Sequence, residues 1–406
     1  MIHSDLKNKR KIICDIVLNL VAVAMPLALL QLFVYPQVAK HIAGQEYGLM
    51  LTIYSVWIMI PNSVGNVFNN IKLLRFPEYQ KHIIQGDFPV LISRWLSIVS
   101  VIVFMAIWFY YGSFTITHIF IGTFIGFLIF LNAYLSVWFR IELNYLSVLI
   151  NSVCLSVGYL AGYIAFRMTG AWEWIFLLGY LFSCLFCVVK TPLLREPYQK
   201  TILYPAVKKD SVSLIIASVI GNLVNYADKL VLYPLMGGMA VSVYYTATIL
   251  GKITSMLTGP INSVALSYIT RWDKNKAGIF NKVLYAGLAI CCLGYGLVIL
   301  LARPVIGLLF PQWLEQVMEI IPLTTVTVML GVLASILQPF VLKYCKLQWQ
   351  TIISAVSSIV YFASALALWH YFGLKGFCVG TILGFLVKLA LMITVYFKNM
   401  ADIDNY

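Results

Sequence analysis

Charge is what this sequence has least of. Only 11% of its residues are charged and 15 are acidic, against 61% hydrophobic residues and a mean hydropathy of +0.90. A soluble fold needs more polar surface than this composition supplies, so soluble enzymes and soluble binding modules are excluded. Metal-ligand spacing is also missing: the five histidines and eight cysteines form no pattern that would hold an ion, and no metal or cofactor is expected. The cysteines lie mostly inside apolar runs, which argues against a disulfide framework. Cys184 and Cys187 form a CxxC, but inside LFSCLFCVV, where small packing residues are the better reading. Long outer loops are absent too. The longest, residues 302–316, carries only Arg303 and Glu315 as charges, so there is no room for an outer catalytic domain, no catalytic residue is assigned and no enzyme is expected.

What the chain has in abundance is apolar runs of spanning length. A membrane-crossing helix needs roughly 20 residues, and runs bounded by charge or turn residues occur at 12–35, 47–70, 89–111, 116–139, 144–166, 171–189, 211–235, 240–268, 277–301, 317–342, 349–370 and 374–397. The expectation is an all-α integral membrane protein with twelve transmembrane helices. The basic start MIHSDLKNKRK resembles a secretory signal, but the run after it is too long and lacks a small-x-small cleavage site, so it reads as an uncleaved first span.

Of the 28 basic residues, four (Lys40, Arg167, Arg303, Lys375) fall in outer segments and three (Lys229, Lys252, Lys388) within spans, which leaves 21 on the inner side when the N-terminus is inside. That asymmetry predicts cytoplasmic N- and C-termini. It also accounts for the net charge of +13 without nucleic acid, and the lipid bilayer is the expected surrounding. The longest inner connector, 190–210, carries Pro192, Pro197 and Pro205 near the midpoint and reads as a hinge, giving an N-terminal six-helix bundle over residues 1–195 and a C-terminal one over 196–406. An internal echo fits two such halves: IPNSVGNV with Pro61, Asn62 and Ser63 in the second span, GPINSVAL with Pro260, Asn262 and Ser263 in the eighth. Parallel repeats in transporters place a site between the halves.

A charge at the centre of a spanning helix costs about 2.5–3.5 kcal/mol, so such residues must face protein or water. At about 100° per residue, Ser218, Asn222, Asn225, Lys229 and Tyr233 fall within about 80° of arc. Thr248, Lys252, Ser255, Gly259 and Asn262 do the same on the eighth span, and Ser55, Asn62, Asn66 and Asn69 on the second. For any single Asn, interhelical hydrogen bonding is an equal reading. Asp228, next to Lys229, is expected to point about 100° away and not to pair with it, because helical neighbours lie three or four apart. An Asp228–Lys252 pair across the hairpin would still leave Lys229 over. An excess of cation in a polar cavity suits an anionic group such as a phosphate. Asp15, placed in the first turn of its helix, favours the dipole there and is a second carboxylate beside Asp228 for ion coupling. The span-end tryptophans, Trp172 and Trp313 among them, read as an aromatic belt, Gly122/Gly126, Gly158/Gly162 and Gly380/Gly384 as close helix contacts, and Pro26, Pro61, Pro260, Pro322 and Pro339 as bends.

Two stretches carry a family likeness: YPQVAKHIAGQEYGLMLTIYSV (35–56) and NYADKLVLYPLMGGMAVSVYYTATILGKI (225–253). With them the chain resembles the Wzx-type polysaccharide and O-antigen flippases of the multidrug/oligosaccharidyl-lipid/polysaccharide exporter superfamily. The resemblance implies two six-helix bundles around a central cavity. It implies transfer of an undecaprenyl-pyrophosphate-linked oligosaccharide across a bacterial inner membrane, with a polysaccharide polymerase and a chain-length regulator as partners. It gives Lys229 and Lys252 the pyrophosphate, puts Asn222, Asn225, Asn62, Asn66, Asn69, Thr248, Ser255 and Asn262 in the cavity, and implies coupling to H+ or Na+ through Asp228. Two departures stand out: the first span has no cavity arginine, and there are no thirteenth and fourteenth helices. The alternatives are a cation-coupled multidrug exporter of the same superfamily, disfavoured by two lysines against one deep aspartate, and a polytopic polysaccharide polymerase, disfavoured by the short outer loops.

Overall fold

The computed structural model describes residues 2–112, 116–256, 277–345 and 347–404. Among these residues there are twelve long helices and no strand. They are α1 (Ile2–Leu29, continued by a π turn to Ala39), α2 (Gly44–His82), α3 (Asp87–Tyr111), α4 (Ile116–Ile141), α5 (Tyr145–Thr169) and α6 (Glu173–Lys190), then α7 (204–236) and α8 (238–256), separated by Gly237. After these come α9 (Ala277–Leu309), α10 (Leu314–Tyr344), α11 (347–372) and α12 (374–404), the last two separated by Gly373. The protein is an all-α membrane protein, as the apolar runs require: in lipid every backbone N–H and C=O must be satisfied within its own helix.

Contacts divide the chain into two compact units, Met1–Val241 and Ser242–Tyr406. The sequence expectation puts the boundary between halves at 195/196; by contacts α7 groups with α1–α6. In the first unit α5 and α6 pack closely, because Gly158 and Gly162 bring α5 against the backbone of Leu178 and Ile175. The core there is aromatic. Trp57, on α2, is fully buried, donates its indole N–H to Gly122 O at 2.9 Å and packs edge-on to Phe176. In the second unit Phe280 stacks on Tyr396 at 3.9 Å, and Gly380 and Gly384 bring α12 against Ala365 and Tyr361 of α11.

Prolines interrupt the helices by a specific device. Pro61 sits in a π turn, Ile58–Asn62, and Pro36 lies two residues past another, Leu30–Val34, whereas Pro26, Pro322 and Pro339 lie inside α-helical stretches. A proline has no N–H to give and crowds the carbonyl four residues back, and a π turn opens the helix to make room.

The connector after α6 is clamped to the first unit. Lys72 Nζ lies 2.6 and 2.8 Å from the two Glu196 oxygens, with both side chains at most 10% exposed. Asp87, fully buried, accepts from Tyr79 OH at 2.6 Å and from the N–H and hydroxyl of Thr201. Arg75 bridges Glu78 and, at 2.6 Å, Asp210 of α7. The hinge expected here is held by ionic and hydrogen-bonded ties, and Lys72, one of the 21 basic residues of the inner side, is buried.

Candidate functional site

The polar face of α7 begins with a contact that the π turn of α2 creates. The opened turn leaves the Ile58 carbonyl to be reached by the Ser63 hydroxyl, which donates to it at 3.2 Å. The same hydroxyl accepts from Asn222 Nδ2 at 2.7 Å. Asn222 is therefore tied to α2, and Ser63 has one partner on its own helix and one on α7.

Lys229 follows two turns along. Its side chain is buried, 5% exposed, and its ammonium lies 5.5 Å from the Tyr226 ring. Asp228 does contact it, contrary to the expectation. Asp228 Oδ1 accepts from the Lys229 backbone N–H at 2.9 Å and stands 3.4 Å from its Nζ. The rule that residues three or four apart meet describes which Cβ atoms share a helix face and does not stop side chains from folding back along their own turn. Here the carboxylate folds onto the next backbone N–H, and the four-carbon lysine stem brings its ammonium back to the same oxygen. Both groups make further contacts.

The α2 stripe splits. Asn66 donates to Asn62 at 3.2 Å on the accessible side, Ser55 donates to Leu51 O within its helix, and Asn69 turns into the bundle, 2% exposed, where it donates to Ala133 O and Ser136 and accepts from Arg140 at 2.8 Å. The π turn accounts for part of this: its extra residue advances everything downstream by about 100° and puts Ser55 out of phase with Asn62 and Asn66. Asn66 and Asn69 both follow the turn, about 60° apart on one continuous helix, and the edge of the bundle falls between them. Thr248 is buried and donates to Tyr245 O. The side chains of Asn225, Lys252 and Ser255, and the whole of Asn262 and Pro260, lie outside the described residues.

Asp15 is not in a first turn. The basic N-terminal segment continues the helix back to Ile2, so Asp15 is well inside α1, partly buried, and the dipole argument for it lapses. Trp172 and Trp313 are 2% and 4% exposed. Trp172 stacks on Tyr111 and lies 6.3 Å from Trp57, so it is a core residue and not part of an aromatic belt.

Sequence reasoning missed one constellation. Glu173, at the start of α6, accepts from Tyr111 OH, and His118 Nδ1 lies 2.6 Å from the same oxygen. The three residues come from the ends of three helices, and no spacing in the chain announces it. Among the described residues no group of histidine, cysteine and carboxylate could hold a metal.

No protein-family model matches the chain, and no curated protein matches it in sequence. Solved structures do match it. An inward-closed structure of the lipid II flippase MurJ aligns with a TM-score of 0.71 at 15% identity, over 95% of this chain and 91% of that one. An inward-facing multidrug resistance MATE family transporter of the MOP superfamily aligns at 0.65 and 14%, over 95% and 98%, and a MATE transporter from Vibrio cholerae at 0.59 and 12%, over 97% of both. The chain has the MATE and MurJ fold. At these identities the likeness is one of fold, extending over nearly the whole length of each of these structures.

Proposed function

We propose that this protein is a flippase of Wzx type. It carries an undecaprenyl-pyrophosphate-linked oligosaccharide from the cytoplasmic to the outer leaflet of a bacterial inner membrane by alternating access, with both termini cytoplasmic and a polymerase and chain-length regulator acting downstream. The observation that carries this reading is Lys229: a buried ammonium on the polar face of α7, in a chain whose fold is that of MurJ. Buried cations within the membrane are costly and mark polar pathways, and an ammonium is suited to a phosphate as a point charge. Lys252 is assigned the same role from its position on α8, and Asn62 and Asn66 contribute the accessible amides of α2. Coupling to H+ or Na+ belongs to this reading.

The test is surface glycan export by Lys229→Ala and Lys252→Ala chains that insert and accumulate normally. The expected result is loss of surface polysaccharide with lipid-linked precursor building up inside. Normal surface glycan in both variants overturns the assignment.

A second reading has an observation in its favour. Asp228 contacts Lys229 at 3.4 Å and so offsets its charge locally, and the structures of similar fold include multidrug MATE transporters. A cation-coupled exporter would take organic cations at Asp228. In that case Asp228→Asn sensitises cells to cationic drugs and leaves glycan export intact.

A further inference from the structure

Outside the α7 face, one end of the first unit holds a cluster that the transport reading does not use. Glu173 is 2% exposed, although it sits at the first residue of a helix. Its Oε1 accepts from Tyr111 OH at 2.6 Å and is 2.6 Å from His118 Nδ1, while its Oε2 is sealed from solvent and has no hydrogen-bond partner among the described residues. The His118 side chain is 37% exposed. The Tyr111 ring stacks on His118 on one side, at 5.7 Å and 25°, and on Trp172 at 6.5 Å and 5°. The other titratable groups facing the cluster are Glu46, at the start of α2, and Tyr233 of α7.

We propose that Glu173 and His118 form a binding site for one exchangeable proton, with His118 as the relay between water and the sealed carboxylate. A buried carboxylate oxygen with no donor is expensive to keep, since removal from water goes uncompensated. With a neutral imidazole the pair carries one negative charge, and one proton brings it to zero. That proton sits on the imidazole as an ion pair or on the carboxyl as an acid, and the two forms differ only by transfer along the 2.6 Å contact, so the titration belongs to the pair and to neither residue alone. A metal ion is not served by this site: Oε2 presents no open surface for coordination, and Oε1 already faces two hydrogen-bond donors. Histidine is the side chain whose charge ordinarily changes between about pH 5 and 8, which suits a reversible site.

The site also adjoins α7. Tyr110, next in the chain to Tyr111, donates to Leu230 O at 2.9 Å and packs edge-on to Tyr233 at 5.6 Å. One end of α3 thus touches both the proton site and the turn that carries Asp228 and Lys229. The inference deepens the transport reading by naming a coupling ion and where it binds, and only this coupling consequence rests on that reading; the proton site needs no substrate to be observed.

The experiment counts protons bound by the purified full-length chain in detergent between about pH 5 and 8, by acid–base titration and by stopped-flow acidification with a pH indicator. The double variant Glu173→Gln with His118→Gln is expected to bind one proton fewer per chain than wild type, while Glu173→Gln alone, which keeps the shape and the acceptor oxygen for Tyr111 but leaves the imidazole without its carboxylate, is expected to take that proton up at lower pH. His118→Gln, at a partly exposed position, is expected to lose the fast phase of uptake. If the double variant binds as many protons as wild type, at the same rate, the site is refuted. Tyr111→Phe, which removes a neutral donor but leaves the pair, is expected to keep the full count; a loss there as large as in the double variant would assign the effect to structure and also refute the site. Because no lipid-linked sugar is present, failure here leaves the Lys229 and Lys252 export test standing, and failure of that test leaves this count unchanged.

Discussion

Gly48 and Gly238 bring the first turns of α2 and α8 to backbone contact, and that contact is the most directly breakable feature of the chain. Gln45 lies beside it and accepts from the Met239 N–H through Oε1 at 3.1 Å, while Gly237, at φ 78°, turns the chain from α7 into α8 in a region that L side chains enter only at a cost. A methyl group at Gly48 would stand 2.5 Å from the Gly238 Cα and nearer still to its carbonyl. Carbon atoms rest about 3.5–4.0 Å apart, so the two helix starts must separate by about an ångström or more, and backbone cannot swing aside as a flexible side chain can. Overpacking costs about 1–3 kcal/mol. A backbone obstacle puts Gly48→Ala in the upper part of that range, about 2–3 kcal/mol, or roughly 30- to 150-fold in the equilibrium between joined and parted helix starts. Hydrogen–deuterium exchange at the Met239 amide reads this equilibrium, since that N–H is protected by Gln45 only while the contact holds. Gly48→Ala is expected to speed exchange there by that factor and to leave peptides from α4 unchanged. Gly296→Ala, where a new methyl meets no atom within 4 Å, serves as the control. Wild-type exchange at Met239 in Gly48→Ala would refute the reasoning, because the contact would then have room that the geometry denies it.

Two further outcomes follow from buried groups. Lys72→Met leaves the Glu196 carboxylate buried and unpaired, at an expected cost of about 3–5 kcal/mol, whereas Lys72→Met with Glu196→Leu is expected near neutral, since an apolar pair of similar volume replaces both charges. Thermal unfolding of the purified chain separates the two, and a single variant that melts with wild type would show that the tie is not formed. Trp57→Ala removes a fully buried indole and its bond to Gly122 O, for about 3–5 kcal/mol. The same melts check it, and a loss under about 1 kcal/mol, the level of an ordinary surface change, would place Trp57 outside the core.

The spans were legible because their signal is local: an apolar run of membrane length can be counted without knowing its neighbours. What failed needed either phase or convergence. Ser55 falls out of phase with Asn62 and Asn66 because the π turn at Pro61 inserts a residue into the helical count, and a proline in a sequence announces a break without saying how the helix absorbs it; Asn69 parts from Asn66 only because α4 packs on that side of the helix. Asp15 was misjudged because the basic N-terminal residues are good helix formers and carry α1 back to Ile2, so the hydropathy boundary is not the helix boundary. Trp172, Glu173, Tyr111 and His118 each look interfacial alone; they become core or site only because the ends of α3, α4 and α6 meet, and the order of residues along the chain does not encode which ends meet. The Lys72–Glu196 tie is illegible for the same reason, since the two residues lie 124 positions apart.

The polar ties of the first unit divide by what would have to move for them to change partners. Lys72–Glu196, Arg75–Asp210 and Asp87–Thr201 each join two segments, so exchanging any of them for a ligand would release the connector or the start of α7. Asn222–Ser63 joins α7 to α2 through the hydroxyl that the π turn of Pro61 presents, and is structural in the same sense. The Lys229–Asp228 contact differs in kind. Both residues lie on one turn of one helix, and their side chains meet at 3.4 Å against 2.6 Å for Lys72–Glu196. That contact ties no second helix by itself, although both groups make further contacts. Sequence adjacency, which first argued that the pair could not form, is thus what places both charges on one turn of α7.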